Sequence, residues 1–163
     1  KVFKNMVTPT VGCGVIFKTM NTEKGAVPLK IWDTAGEERY RSFSGLYSQS
    51  ASAGILVFDL TDSHTFDALG GWITEFRNYA NENAILYLAG NKLDLIDQRG
   101  IYESYAQKEN MKYFEVSAKT GEGIELLFTE LAKELGPFIQ VDAQPTTNIV
   151  NTTEKKSDGF CCF

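Results

Sequence analysis

Apolar and polar positions alternate in the first part of the chain. Within residues 14–32, Val15 and Phe17 belong to a first stretch in which every second residue is apolar, and Leu29 belongs to a second such stretch. The turn-forming sequence Glu-Lys-Gly at 23–25 separates the two runs. Alternation with a period of two residues is typical of strands that bury one face. The pattern therefore predicts a β-hairpin.

Three short, continuous apolar runs follow, and each of them ends in a polar cluster. The runs occupy 53–58, 84–89 and 112–116, and the clusters that follow are Asp-Leu-Thr-Asp at 59–62, Gly-Asn-Lys at 90–92 and Ser-Ala-Lys at 117–119. Continuous apolar runs of this length suit strands that are buried on both faces of a parallel sheet.

Helical spacing appears between these runs. Apolar residues at intervals of three and four predict helices over 66–80 and 124–135, and a weaker one over 102–110. Because strands alternate with helices, the expected fold class is α/β, with a mostly parallel sheet and flanking helices. Ligand chemistry is expected at the carboxyl ends of the strands, where the polar clusters lie.

The composition changes near residue 136. Residues 1–135 are predicted to form the folded domain, and 136–163 to form a flexible tail that is rich in Pro, Thr, Asn, Gln and Ser. No apolar run reaches the length that spans a membrane.

The counts of charged residues, histidine and cysteine exclude several functions. The formal net charge of −5 argues against a nucleic-acid binder, which needs clustered basic residues. One histidine, His64, makes a histidine-based zinc site or catalytic triad implausible, and the three cysteines form no CxxC pair.

The polar clusters after the second and third apolar runs can read a guanine base. Asp94, in Asn-Lys-Leu-Asp at 91–94, can accept from both the ring N–H and the exocyclic amine of guanine. Asn91 can bond the opposite ring nitrogen and tether neighbouring loops, while the stem of Lys92 lies over the base. The Ser117, Ala118 and Lys119 segment offers a backbone N–H for the guanine carbonyl. The alternative is a polar loop that caps a strand.

A second cluster follows the hairpin, in the sequence Asp-Thr-Ala-Gly at 33–36. Asp33 can hold Mg²⁺ through water, and the Gly36 N–H can approach a terminal phosphate because no side chain obstructs it. A helix-capping aspartate is the alternative interpretation of Asp33.

Together, residues 32–36, 91–94 and 117–119 resemble the Ras-like small GTPases. Within them the chain looks most like a Rab, because 29–43 and 54–62 are similar to Rab signature stretches. The resemblance implies a GTP/GDP-dependent switch with Mg²⁺ that recruits effectors in vesicle-mediated membrane traffic, together with an exchange factor and a GTPase-activating protein. It also implies a monomer on the cytoplasmic face of intracellular membranes, with a cytosolic pool.

The resemblance also assigns residues. Phe17, Trp32 and Tyr47 match the aromatic triad that Rabs present to effectors, with core packing as the alternative. Cys161 and Cys162, next to the C-terminus, resemble the Rab signal for double geranylgeranylation, although one residue follows them.

The chain departs from the family pattern at three places. It contains no GxxxxGK[ST] phosphate loop, which would precede Lys1 together with one strand and one helix. We therefore expect an N-terminally truncated domain, with a central gap in the sheet. Glu37 replaces the glutamine that positions water beside Gly36. The switch threonine that helps to hold Mg²⁺ is Thr10 in one alignment, whereas another places Gly12 there.

Two other functions compete with the switch. Glu37 and the missing phosphate loop favour a non-hydrolysing module that displays an effector surface, because an ionised carboxylate is repelled by a phosphate charge by roughly 4 kcal/mol at about 4 Å and ε of about 20. A metabolic guanine-nucleotide enzyme would need a second substrate-binding constellation, and the sequence contains none.

Overall fold

In the computed structural model, residues 8–37, 41–136 and 159–162 are described, with backbone alone for 41–44 and 159–162. The six strands are β1 Cys13–Thr22, β2 Gly25–Thr34, β3 Ala51–Asp59, β4 Ile85–Asn91, β5 Lys112–Glu115 and β6 Gly159–Cys162. The helices are α1 Arg41–Ser48, α2 Ser63–Asp67, α3 Leu69–Tyr79, α4 Glu103–Lys108 and α5 Ile124–Leu135.

All six strands form one sheet, in the order β1-β2-β6-β3-β4-β5. The hairpin β1–β2 is antiparallel, and every other neighbouring pair is parallel. The α/β class and the mostly parallel sheet predicted from the apolar runs are confirmed.

Two apolar layers cover the two faces of the sheet. Because side chains alternate along a strand, Ile55, Tyr87 and Ala89 face one side, where Leu131 and other residues of α5 pack. The intervening residues of β3 and β4 face the other side, where α3 packs; this layer includes Leu56, Phe58, Leu86, Leu88, Trp72 and Phe76. Because β2 to β6 run parallel, their carboxyl ends lie together at one edge of the sheet.

Two helical details differ from the sequence expectation. The single helix predicted over 66–80 is divided at Ala68, whose N–H donates back to the carbonyls of His64 and Phe66 and ends α2. Gly70 and Gly71 consequently fall in the first turn of α3. The helix α1 has no counterpart in the sequence prediction. The prediction over 124–135 coincides with α5.

The centre of the sheet also differs from the expectation of a gap. The backbone of β6 runs parallel between β2 and β3, with Cys161 aligned to Trp32 on one side and Gly54 on the other. The physical reason is that two facing strand edges carry unpaired N–H and C=O groups, which a strand between them satisfies. Most of the predicted tail, 137–158, lies outside the described residues.

Candidate functional site

The segments that follow β4 and β5 lie side by side. The Val116 N–H donates to the Gly90 carbonyl at 2.8 Å, and the Leu93 N–H donates to the Val116 carbonyl at 3.0 Å. These bonds continue the β4–β5 ladder past the end of β5. The residues of the two predicted base-reading segments are therefore brought together, as expected from parallel strands that end at one edge.

Asn91 connects the two segments through its side chain. Its Oδ1 accepts from the Lys92 N–H at 2.8 Å and from the Ala118 N–H at 3.0 Å. Lys92 has φ of 66°, a left-handed conformation that turns the chain out of β4. The tethering role expected of Asn91 is thus visible in its geometry. The Ala118 N–H is engaged with Asn91, so a guanine carbonyl would share or displace that bond.

Asp94 is held in a defined orientation. The Ser117 hydroxyl donates to its Oδ1 at 2.6 Å, and the Lys119 ammonium lies 3.3 Å from its Oδ2. The hydrogen bond from Ser117 is the main cause that holds the pKa of Asp94 below its usual range; partial burial opposes it, and Lys119 adds to it. Asp94 is therefore ionised at neutral pH, as an acceptor of two hydrogen bonds must be.

The loop that carries Ser117 is itself tightly bonded. Ser117 is fully buried. Its Oγ accepts from the Thr120 N–H at 3.1 Å, and its backbone pairs with Glu122 and Gly121. Gly123, at φ of 74°, has no space for a side chain, because a Cβ there would lie 2.4 Å from the Glu115 carbonyl oxygen. This glycine allows the loop to close against the end of β5.

Sequence reasoning assigned no role to one residue in this region, Asp59. It ends β3, directly beside Asn91 in the strand register, and its carboxylate pairs with the Lys92 ammonium. The available signal was its place at the carboxyl end of a buried strand, the same signal that identified Asn91.

Thr10 and Asp33 meet at the end of β2. The Thr10 hydroxyl lies 3.5 Å from Asp33 Oδ2, while Gly12, at φ of 78°, accepts from the Ala35 N–H through its carbonyl at 3.1 Å. Of the two alignments, the one with Thr10 brings a side-chain oxygen to Asp33. A hydroxyl and a carboxylate are hard oxygen donors that suit Mg²⁺, which keeps several water or phosphate ligands.

Among the described residues, the Thr10–Asp33 pair is not part of a larger cluster of metal-ligating side chains. Within the part of the chain that the structure describes, no group of three or more His, Cys, Asp or Glu side chains could hold a metal ion.

Gly36 and Glu37 leave the end of β2. Gly36 is exposed, and a Cβ there would meet no atom within 4 Å. It lies at a cavity of about 370 Å³ between β3 and the α2–α3 region, which His64 and Trp72 also line. A second cavity, of about 820 Å³, lies at the amino ends of β4 and β5, and none of the predicted site residues lines it.

The aromatic residues expected at an effector surface are only partly adjacent. The rings of Trp32 and Tyr47 lie 5.3 Å apart between centroids, and the Lys30 ammonium lies 4.4 Å from the Trp32 ring. In the β1–β2 register, Val15 is opposite Trp32, and Phe17 is opposite Lys30. Phe17 is 76% exposed. Its position is thus displaced along β1 from the Trp32–Tyr47 pair.

Comparisons with known proteins show the family to which the chain belongs. The sequence model of the Ras family matches residues 1–136. The chain belongs to the Ras family. One curated relative, RabJ of Dictyostelium discoideum, is 39% identical to the chain over 138 residues. The aligned residues make up 82% of the chain and 54% of RabJ.

Two further relatives carry Rab names. RABF2a of Arabidopsis thaliana is 38% identical over 141 residues, 84% of the chain and 70% of that protein. Rab-26 of Rattus norvegicus is 34% identical over 158 residues, 94% of the chain and 62% of that protein. The chain is therefore a Rab-type member of the Ras family, and it spans between about half and two thirds of the length of these relatives. Among the described helices, none is long and apolar enough to cross a membrane.

Proposed function

We propose that this Rab-family chain is part of a GTP/GDP-dependent switch that recruits effectors in vesicle-mediated membrane traffic. One observation carries the proposal. The Asp94 carboxylate is ionised, oriented by Ser117 and Lys119, and lies beside the Asn91 tether at the carboxyl ends of β4 and β5. A fixed acceptor of this kind distinguishes guanine, which presents two adjacent donors, from adenine.

The proposed division of roles follows the site geometry. Asp94 reads the base, and Asn91 and the Ser117–Ala118–Lys119 segment shape the pocket edge, while the stem of Lys92 covers the purine. Thr10 and Asp33 would hold Mg²⁺, which would neutralise phosphate charge when bound. Gly36 would approach the terminal phosphate through its N–H, and Glu37 stands where the family places a water-positioning glutamine.

The base-reading role of Asp94 can be tested in an extended chain, in which a family phosphate-loop segment precedes Lys1. Asp94→Asn should shift binding from GTP toward XTP, because the 2-oxo group of xanthine accepts from the new amide where guanine donates. Competition of GTP, XTP and ATP against a fluorescent guanine nucleotide measures the preference. Asp97→Asn makes the same chemical change at an exposed residue and should keep GTP preferred. Unchanged GTP preference in Asp94→Asn would contradict the proposal.

The proposed effector surface is centred on Trp32 and Tyr47, with Phe17 at its periphery. The two rings are tilted relative to each other and close enough to form one apolar patch, and Lys30 contributes a cation above Trp32. Effectors, an exchange factor and a GTPase-activating protein would be the partners, and the chain would act as a monomer.

Membrane attachment through Cys161 and Cys162 completes the proposal, and it requires β6 to leave its place between β2 and β3, because lipid-bearing cysteines must be free to enter a membrane. The predicted tail carries two lysines and three acidic residues, so it has no polybasic patch for anionic headgroups. A single lipid gives only marginal binding, whereas two chains, at about 0.8 kcal/mol per buried CH₂, give stable anchoring. Intact-mass measurement after expression in a eukaryotic cell should show two prenyl additions. Unmodified cysteines in a wholly soluble product would remove the membrane part of the proposal.

A further inference from the structure

Asp59 and Lys92 are brought together by the register of two parallel strands. The final pair of the β3–β4 ladder aligns Asp59 with Asn91, and the Leu60 N–H donates to the Asn91 carbonyl at 2.9 Å. Lys92 then leaves β4 in a left-handed conformation, and its ammonium contacts Asp59 Oδ2. The ion pair therefore links the end of β3 to the lysine of the base-reading segment.

The Asp59 carboxylate is fixed before it contacts the lysine. Its Oδ1 accepts from the Thr61 N–H at 2.9 Å and from the Thr61 hydroxyl at 2.6 Å. The Asp59 N–H donates to the Thr65 hydroxyl at 2.9 Å, which in turn donates to the Asp62 carbonyl at 2.7 Å. One carboxylate oxygen is thus held by the loop after β3, and the other is directed to Lys92.

The side chains of Asp59 and Lys92 differ in exposure, and the difference indicates that Asp59 positions Lys92. The side chain of Asp59 is 17% exposed, and that of Lys92 is 52% exposed. Burial alone would raise the pKa of Asp59, but the hydrogen bonds from Lys92 and Thr61 outweigh burial and hold the pKa below its usual range. A rigid, ionised carboxylate therefore restricts a lysine that would otherwise have many rotamers.

We propose that Asp59 is a positioning residue of the nucleotide site, which holds the stem of Lys92 in one orientation so that it can cover a purine base. The inference deepens the proposed function and rests on it, because it assumes that 91–94 binds a guanine base. Asp59 itself touches no base in this role. It lowers the cost of binding by restricting the lysine side chain before the ligand arrives.

The expected effect is moderate. Immobilising one rotamer-rich side chain on binding corresponds to an affinity change of about 2- to 10-fold. Asp59→Asn should cost this factor, because an asparagine oxygen can still accept from Thr61 while the charge that holds Lys92 is lost. Selectivity for guanine should remain, since Asp94 is not altered.

The experiment is a double-mutant cycle on the 163-residue chain, with guanosine 5′-monophosphate as the probe and NMR titration as the measurement. Lys92→Met keeps an apolar stem and removes the ammonium at an exposed position. Asp59→Asn should weaken binding about 2- to 10-fold in the wild-type background and have no further effect in Lys92→Met. Asp62→Asn makes the same change at the residue that caps α2 and should leave binding unchanged.

The outcomes separate three cases. Equal weakening by Asp59→Asn in both backgrounds would assign Asp59 a purely structural role and overturn the inference. Wild-type affinity in Asp59→Asn would also overturn it, while the proposed base site would stand. Absence of any guanosine 5′-monophosphate binding to the wild-type chain would remove the base site and the inference together.

Discussion

The two halves of the proposed nucleotide site are built very differently. In the half at the ends of β4 and β5, the Asn91 side chain accepts from the Lys92 and Ala118 N–H groups, and Ser117 donates to Asp94, at distances of 2.6 to 3.0 Å. In the half at the end of β2, the Thr10 hydroxyl lies 3.5 Å from Asp33 Oδ2, at the outer limit of hydrogen-bond distance. The base half is preorganised by short hydrogen bonds, whereas the Thr10–Asp33 contact in the phosphate half is long.

From this difference we expect one half to determine base selectivity and the other to determine most of the binding affinity. The base half determines which base is bound, because an oriented acceptor rejects a ligand that lacks the matching donors. The phosphate half determines how tightly the nucleotide is bound, because phosphates take several charge-assisted hydrogen bonds. A chain with one half in place should be selective but weak.

The largest expected effect comes from supplying the phosphate half. The 163-residue chain should bind GTP weakly, and the extended chain should bind it at least about 10²-fold more tightly, since two or more charge-assisted hydrogen bonds contribute about 1.5–3 kcal/mol each. Titration calorimetry with Mg²⁺ measures both affinities. Guanosine, which lacks phosphates, should bind both chains similarly. Submicromolar GTP affinity of the 163-residue chain would contradict the division into two halves.

Weakening the base half should have the next largest effect. Ser117→Ala removes the 2.6 Å bond that orients Asp94, and it leaves the Thr120 N–H without that acceptor. We expect a loss in guanine-nucleotide affinity of about tenfold, as for one hydrogen bond to a charged group. Competition binding in the extended chain measures it. Thr120→Ala in the same loop is the control, and an equal loss there would show that loop disorder rather than Asp94 orientation is responsible.

A smaller effect is expected on hydrolysis, in the phosphate half. In the extended chain, Glu37→Gln should raise the intrinsic rate several-fold, because a neutral amide can orient water without repelling phosphate by about 4 kcal/mol. Single-turnover phosphate release measures the rate, and Glu38→Gln provides the same change one position along the chain. An unchanged or lower rate in Glu37→Gln would favour the view that Glu37 does not face the γ-phosphate.

The smallest effect concerns the dependence of stability on pH in the base half. The pKa values of Asp59 and Asp94 are lowered in the folded chain. Such groups stabilise the fold above the unfolded pKa of about 3.9, and this stabilisation is lost as pH falls through the lower folded pKa. Asp59→Asn and Asp94→Asn should therefore flatten the decline in unfolding free energy below about pH 4. Urea unfolding at a series of pH values measures the slopes.

Much of the base half could be predicted because its signals are local. A continuous apolar run followed by polar residues identifies a buried strand and its carboxyl end, so Asn91, Asp94 and Ser117 could be assigned before their distances were known. The helix α5 was predicted with the correct bounds, since its apolar stripe is regular and a glycine and a proline follow it.

Other features depend on contacts between distant segments and carry no local signal. The pairing of Asp59 with Lys92 results from the β3–β4 register, and the position of Val15 opposite Trp32 results from the β1–β2 register. The backbone of β6 lies between β2 and β3, although it is separated from both by much of the chain. The sequence by itself determined β1 to β5, the main helices and the residue types at the strand ends, because periodicity and residue type are local properties. The tertiary structure alone decided which side chains meet, because strand register is set by packing across the whole sheet.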